Sequence, residues 1–259
     1  MAFTGAELTT WLATLLWPFM RIGAMFAAVP IFSARSVPVR IRIILAFLIS
    51  SLLIPVIPAP PVVDLISGQA LIISIHQIII GLAMGFILQL VFAAFVIAGQ
   101  SIAMAMGLGF ASIIDPQNGV QVPVISQAFL IMVTLIFLAL NGHLILIEML
   151  ANSFHNLPVG MLVPSRDGLW QLVNWGSDMF TGGMLIALPA VAALLLVNLA
   201  FGVTTRAAPQ LNIFAVGFPV MIMVGLSFMI LTLPTLTSHV SRLMMSSFEL
   251  IQRFLASAT

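Results

Sequence analysis

Four ionisable side chains lie inside long apolar stretches of the sequence, where a charge is costly and needs a partner or a function. They are Arg21, His76, His143 and Glu148. A proton relay would place His143 and Glu148 on one helix face. Five residues turn a helix through about 500°, so these two side chains lie about 140° apart. We therefore favour an ion pair or a position near a helix end for them, and we expect Arg21 to pair with a carboxylate or with backbone carbonyls of a neighbouring helix.

The sequence lacks the motifs of common hydrolases and nucleotide-binding enzymes. It has no His-Glu-x-x-His zinc motif, no Gly-x-Ser-x-Gly nucleophile motif and no phosphate-binding loop. Gly107 and Gly109 lack the third glycine of a dinucleotide-binding loop, and the absence of cysteine excludes disulfides and thiolate chemistry. We predict a protein without catalytic, cofactor-binding or metal-binding residues and without a nucleic-acid partner.

An uncharged segment ends at a pair of glycines. From Leu65 to Ile114 the sequence contains no Asp, Glu, Lys or Arg. A straight helix of that length would span about 75 Å, against a hydrocarbon core of about 30 Å. Gly107 and Gly109, followed by Asp115-Pro116, predict that the helix ends there. Irregular backbone at membrane depth is tolerated only inside protein or along a cavity, so residues 106–122 are the first candidate for function.

Two further strings carry polar atoms within apolar sequence. The first is Asn141-Gly142-His143, and the second runs from Arg206 to Phe214. In the second, Pro209 interrupts a helix, and the polar side chains supply donors and acceptors for the backbone groups left open. It is expected to form a capped hairpin turn that also contacts a partner subunit through Arg206, Gln210 and Asn212.

The composition is that of an integral membrane protein. Hydrophobic residues make up 62% of the 259 residues and charged residues 6%, against roughly 45–50% and 25% in soluble domains. The predicted fold class is all-α, with room for about six membrane spans. The predicted apolar blocks are 8–30, 39–57, 65–105, 122–150, 178–203 and 212–237.

A C-terminal amphipathic helix is predicted after Pro234. Its apolar face carries Val240, Leu243, Met244, Ser247, Ile251, Phe254 and Leu255. Such a helix either lies at the membrane interface or docks onto a partner.

The third block has small residues at intervals of four, which allow helix backbones to approach closely. The pairs are Gly81 and Gly85, Ala94 and Ala98, and Ala103 and Gly107. Packing against another helix of the same chain is the favoured interpretation for each pair.

An ordered set of strings resembles the FliR family of flagellar biosynthetic proteins, whose relatives are export-gate components of type III secretion systems. The set covers nearly the whole chain. It comprises Arg21-Ile-Gly-Ala-Met25, Ala98-Gly99-Gln100, Met106 to Pro116, Leu135 to Leu138, Asn141-Gly142-His143, Ser153-Phe154, Arg206 to Phe214 and Gly217-Phe218-Pro219.

The resemblance implies a non-catalytic subunit of a protein export gate in the bacterial inner membrane, within the flagellar basal body. Its implied partners are FliP-like and FliQ-like membrane subunits, export-apparatus proteins of the FlhA and FlhB type, unfolded export substrates and membrane lipid. Residues 1–259 form one export-gate domain, in which a FliP-like part, 1–176, is fused to a FliQ-like hairpin and tail, 177–259. The resemblance further implies that most of these helices are raised out of the bilayer plane into the assembly.

The resemblance also implies that the loop 106–122 plugs the pore. The implied plug residues are Met106, Gly107, Leu108, Gly109, Phe110, Ile113, Ile114, Asp115 and Pro116. The residues assigned to assembly and structure are Arg21, Asn141, Gly142, His143, Arg206, Pro209, Gln210, Asn212 and Phe214.

Two other functions are consistent with a chain of this composition. A secondary transporter or channel for a small solute would carry polar side chains at the membrane midplane and an internal repeat. A membrane scaffold without a pore would assemble with partners but would not conduct. Gentle solubilisation, followed by identification of co-purifying small helical proteins, separates these alternatives from the export gate.

Overall fold

The structure is a computed structural model that describes residues 5–34, 36–108, 112–114, 121–160, 165–207 and 213–257. These residues form helices joined by short connections and one short β-hairpin, which confirms the all-α class. In chain order the elements are α1 (Gly5–Ala28), α2 (Pro30–Ser33), α3 (Val39–Leu53), α4 (Gly68–Ala105), β1 (Ser112–Ile114), β2 (Gln121–Pro123), α5 (Val124–Ala139), α6 (Gly142–Asn156), α7 (Arg166–Ala207) and α8 (Ile213–Ala256).

Four helices among the described residues are long and apolar enough to cross a membrane. They comprise Trp11–Ala28, Gly68–Ala105, Arg166–Ala207 and Val216–Ala256. The pair α5 and α6 passes the same test together, which makes five candidate spans. The integral membrane class is confirmed, whereas the expected number of six spans is replaced by four or five.

Three predicted helix boundaries are corrected by the structure. The block 122–150 is interrupted at Asn141, which has a left-handed backbone with φ 56°; asparagine is among the few residues that tolerate this region. Helix α7 begins at Arg166 rather than near 178. Helix α8 continues through Pro219 and Pro234, since prolines are tolerated inside apolar helices where neighbouring groups satisfy the freed backbone.

The chain divides into two compact units. The first comprises the described residues of Met1–Leu90, Asn141–Gly176 and Met244–Thr259. The second comprises those of Val91–Leu140 and Ser177–Leu243. Helices α4, α7 and α8 each contribute residues to both units.

In the first unit, α1 packs against α3 and against the glycine-bearing face of α4. A Cβ atom added to Gly81 would overlap the carbonyl oxygen of Arg21. A Cβ atom added to Gly85 would lie 2.6 Å from the Cβ of Ala28. The predicted role of this glycine pair in packing against a helix of the same chain is confirmed.

The second unit is held by equally close backbone contacts. Gly99 lies against the backbone of Ser126, whose Oγ donates to the carbonyl of Val96 at 3.0 Å. A Cβ atom on Gly183 would lie 2.6 Å from the carbonyl oxygen of Ala94. Small residues therefore mark the positions where α4 meets α5 and α7.

The apolar face of the C-terminal tail is covered by this chain itself. Val240, Met244, Ile251 and Phe254 are at most 3% exposed. Within the first unit, Trp175 Nε1 donates to Ser246 Oγ at 3.2 Å, and a Cβ atom on Gly168 would lie 3.6 Å from the Phe254 ring. The interpretation of this face as one that meets the membrane interface or a partner is therefore corrected, because these side chains are buried within the chain itself.

Candidate functional site

Helix α4 ends in a glycine turn at the start of the candidate segment 106–122. Gly107 has φ +76°. Its N–H donates to the carbonyl of Met104 at 3.1 Å, and the N–H of Leu108 donates to the carbonyl of Ala103 at 2.9 Å. This pair of bonds is the Schellman arrangement, in which a left-handed residue closes the last helical turn. The predicted helix end at Gly107 is confirmed, and glycine adopts this φ without strain.

Met106 anchors the turn in the second unit. Its side chain is fully buried, and a Cβ atom on Gly225 of α8 would lie 2.5 Å from the Met106 sulfur. Gly225 therefore makes room for the methionine. The ring of Phe218 lies beside Gly107, 3.8 Å from where a Cβ atom would stand.

A cleft of about 240 Å³ opens beside this turn. Three methionines and two phenylalanines supply most of its wall, and Asn198 supplies an amide. Methionine side chains are flexible and polarisable, so such a wall adapts to apolar groups of different shapes. The lining residues are Met104, Ala105, Met106, Gly107, Asn198, Phe201, Gly217, Phe218 and Met221.

Beyond Leu108, the described part of the segment forms a two-stranded antiparallel hairpin. Ser112 pairs with Pro123, Ile113 with Val122, and Ile114 with Gln121. The expectation of irregular backbone is corrected for these residues, because strand pairing satisfies their backbone polar groups. The remaining predicted plug residues Gly109, Phe110, Asp115 and Pro116 lie outside the described residues.

Arg21 is fully buried in the first unit, in a network of hydrogen bonds. Its Nε donates to Gln77 Oε1 at 2.9 Å. Its Nη1 donates to the carbonyl and the hydroxyl oxygen of Ser153, at 2.9 and 3.0 Å, and its Nη2 donates to the carbonyl of Leu157 at 2.8 Å. The guanidinium carbon lies 4.1 Å from the centroid of the Phe154 ring.

This network ties α1 and α4 to the carboxyl end of α6. Leu157 is the C-cap residue of α6, and its carbonyl has no donor within the helix. The Ser153 carbonyl also accepts the N–H of Leu157 at 2.9 Å. A cation there also complements the negative end of the helix dipole. The predicted pairing of Arg21 with backbone carbonyls is confirmed, while its other partners are an amide, a hydroxyl and an aromatic ring.

The remaining candidate residues are spread over the chain. Asn141 is exposed and Gly142 is buried at the start of α6. Within the described residues, the buried Nδ1 atom of the half-buried His143 has no hydrogen-bond partner. Glu148 is exposed, so the structure does not bring it into a relay with His143.

The second polar string lies at the junction of α7 and α8. Arg206 is exposed in the last turn of α7, and Phe214 lies in the first turn of α8. Pro209, Gln210 and Asn212 lie outside the described residues.

Sequence reasoning missed Gln77 and Ser153 as partners of Arg21, and Asn198 in the cleft. Each is a polar residue in apolar sequence. That signal marks Gln77 and Asn198 as worth attention, but it does not indicate which distant residue they meet.

The sequence matches the family of bacterial export proteins, family 1, over residues 12–247. The chain belongs to this family. It is 38% identical over 248 residues to the flagellar biosynthetic protein FliR of Escherichia coli K12, covering 96% of this chain and 95% of the relative. It is 36% identical over 251 residues to FliR of Pectobacterium carotovorum, covering 97% and 96%. It is 32% identical over 241 residues to FliR of Bacillus subtilis 168, covering 92% and 93%.

Proposed function

We propose that the protein is a non-catalytic subunit of the flagellar type III protein export gate, which forms and plugs the channel entrance for unfolded substrates. Its relatives are named flagellar biosynthetic protein FliR and align with it over nearly their whole length. Its apolar helices support a place in the bacterial inner membrane, at the flagellar basal body.

The observation that carries the plug assignment is the way α4 ends. A left-handed glycine closes the helix, a buried methionine anchors the turn, and a short hairpin follows before α5 begins. The proposed plug comprises Met106, Gly107, Leu108, Gly109, Phe110, Ile113, Ile114, Asp115 and Pro116. Apolar contacts are nondirectional, so a plug of this kind excludes water and ions and is still displaced by a passing polypeptide.

The exposed surfaces of α7 and α8 favour the proposal that these helices contact partner subunits. In their most apolar stretches, 22% of α7 and 17% of α8 is buried within this chain, against 56% of α4. We assign these surfaces to packing with FliP-like and FliQ-like membrane subunits, and we place proteins of the FlhA and FlhB type in the same apparatus. The proposed division is a FliP-like part, 1–176, and a FliQ-like hairpin with its tail, 177–259. Energy for transport comes from other components.

Changing Phe110 and Ile113 together to Ser tests the plug. Assembly of the complex should be retained, because α4 and its glycine turn are untouched, while vesicles containing the complex should leak small ions. Vesicles that contain the complex with residues 108–114 deleted should leak more ions than those with the double substitution. The measurement is ion flux into liposomes that hold equal amounts of assembled complex.

A matched control changes Val62 and Ile66 to Ser. These two apolar residues are 84% and 96% exposed in another connection, between α3 and α4, and their replacement should leave the vesicles tight. Phe110 and Ile113 variants as tight as the unaltered complex, at equal assembly, would show that these residues do not seal the pore.

A further inference from the structure

Helix α3 carries an exposed stripe with a cation at one end. Arg40 lies in its first turn and is exposed. Residues three, four, seven and eight positions later share a helix face with it, and all four are large and apolar. We define the α3 stripe as Arg40, Ile43 (52% exposed), Ile44 (57%), Phe47 (47%), Leu48 (57%) and Leu52 (74%).

In the sequence around the stripe, all the charged residues are positive. From Leu8 to Val63 there is no Asp or Glu, while Arg35, Arg40 and Arg42 fall within eight residues of one another. Asp64 lies beyond the other end of α3, and its Oδ1 accepts the N–H of Ile66 at 3.1 Å. The first turn of α3 has no acidic residue to offset the positive end of the helix dipole.

Arg42 is held by the chain itself. The Nη2 atom of Arg42 donates to the carbonyls of Ser33, Ala34 and Val37 at 3.0, 2.9 and 3.0 Å. These bonds close the connection that leads into α3. Arg40 comes two residues earlier on the helix, about 200° away around its axis, and it is exposed.

The length of the stripe matches one leaflet of a membrane. From Arg40 to Leu52 the helix rises about 18 Å, and half of a hydrocarbon core is about 15 Å. The whole of α3 is 15 residues long, or about 22 Å, which is too short to cross the core. The stripe therefore matches a single phospholipid in length. Its cation would lie at the level of the headgroup, and its apolar side chains would lie along one leaflet.

We propose that the α3 stripe binds an anionic phospholipid, with the phosphate at Arg40 and an acyl chain along Ile43, Ile44, Phe47, Leu48 and Leu52. Charge complementarity selects an anionic headgroup over a zwitterionic one, since each arginine near an anionic surface improves binding about fivefold. The attraction weakens with salt.

The experiment measures the lipid retained by the protein in its purified complex. The complex is incorporated into nanodiscs of dioleoyl phosphatidylcholine with increasing dioleoyl phosphatidylglycerol, and the bound lipids are counted by native mass spectrometry. Arg40→Gln should lower phosphatidylglycerol retention about fivefold, and Arg40→Lys should retain most of it. Ile44→Ser should lower retention of both lipids, because it removes a contact with the acyl chain.

Arg166→Gln is the matched control, since Arg166 is an exposed arginine with the carboxylate of Asp167 beside it in sequence. It should leave retention unchanged. Equal retention by Arg40→Gln and the unaltered complex would overturn the proposal, as would equal losses in the Arg40 and Arg166 variants. A lower yield of complex with unchanged lipid per complex would assign Arg40 to a protein partner instead.

Discussion

Replacing Arg21 by Met should destabilise the protein by about 2–4 kcal/mol. Methionine keeps an unbranched apolar stem but loses the hydrogen bonds to Gln77 Oε1 and to the carbonyls of Ser153 and Leu157. Of these acceptors, the Ser153 carbonyl keeps the N–H of Leu157 as a donor, at 2.9 Å. A hydrogen bond from a charged donor contributes about 1.5–3 kcal/mol, so three of them amount to roughly 4–9 kcal/mol. The substitution also removes the cost of burying a cation, several kcal/mol, which offsets about half of that loss.

The assay is thermal unfolding in mild detergent, followed by tryptophan fluorescence. Trp17 lies one turn before Arg21 on α1, is fully buried and donates to Ser74 Oγ at 3.2 Å, so it reports on this part of the first unit. Arg166→Met, at an exposed position, is the control and should change the midpoint little. Adding Gln77→Leu to Arg21→Met should cost less than the sum of the two single changes, because the residues share a hydrogen bond.

One result would refute this reasoning. Apolar replacement of buried ionic groups is neutral or stabilising in some proteins. If Arg21→Met unfolds at the same or a higher temperature than the unaltered protein, the free energy lost on burying the guanidinium equals or exceeds the free energy that its hydrogen bonds contribute. Arg21 would then be retained for a reason other than stability.

Three more outcomes are expected. Gly81→Ala should destabilise the protein by about 1–3 kcal/mol, because the methyl group overlaps the Arg21 carbonyl. Gly23→Ala should stabilise it by about 0.5–1 kcal/mol, because the added Cβ meets nothing within 4 Å. Shifts of the unfolding midpoint with the same sign in both variants would contradict this. Gly107→Ala, at φ +76°, should cost about 1–2 kcal/mol in the same assay, and an unchanged midpoint would count against the strained turn. Arg206→Ala should lower the recovery of assembled complex, and normal assembly with lost export would instead give Arg206 a direct role in transport.

Local signals in the sequence predicted local structure well. The end of α4 was predicted because glycine tolerates a positive φ and Asp-Pro follows nearby. The apolar face of the tail was predicted from its helical spacing, and its residues are indeed buried. The glycines at 81 and 85 were predicted to face a helix of the same chain, since their missing side chains gain nothing against lipid.

Features that depend on distant residues were not predictable in the same way. The bonds of Arg21 join it to residues 56 to 136 positions away, and no periodicity encodes such pairs. The break at Asn141 was missed because apolar sequence on both sides favours a continuous helix, although Asn-Gly is a turn signal. Pro234 was over-interpreted as a boundary, since α8 continues through it and a proline is tolerated inside an apolar helix where neighbouring groups satisfy the freed backbone.

The prolines within α7 and α8 influence which kind of molecule, protein or lipid, packs best against these exposed helices. A proline has no N–H, so Pro189 and Pro234 release the carbonyls four residues earlier, at Leu185 and Ile230. The side chains at these two positions are 59% and 66% exposed. An acyl chain cannot donate a hydrogen bond to a released carbonyl, whereas a helix bearing a serine, threonine or amide at that level can. A carbonyl released at an exposed position of each helix therefore favours a protein neighbour over a lipid at that point.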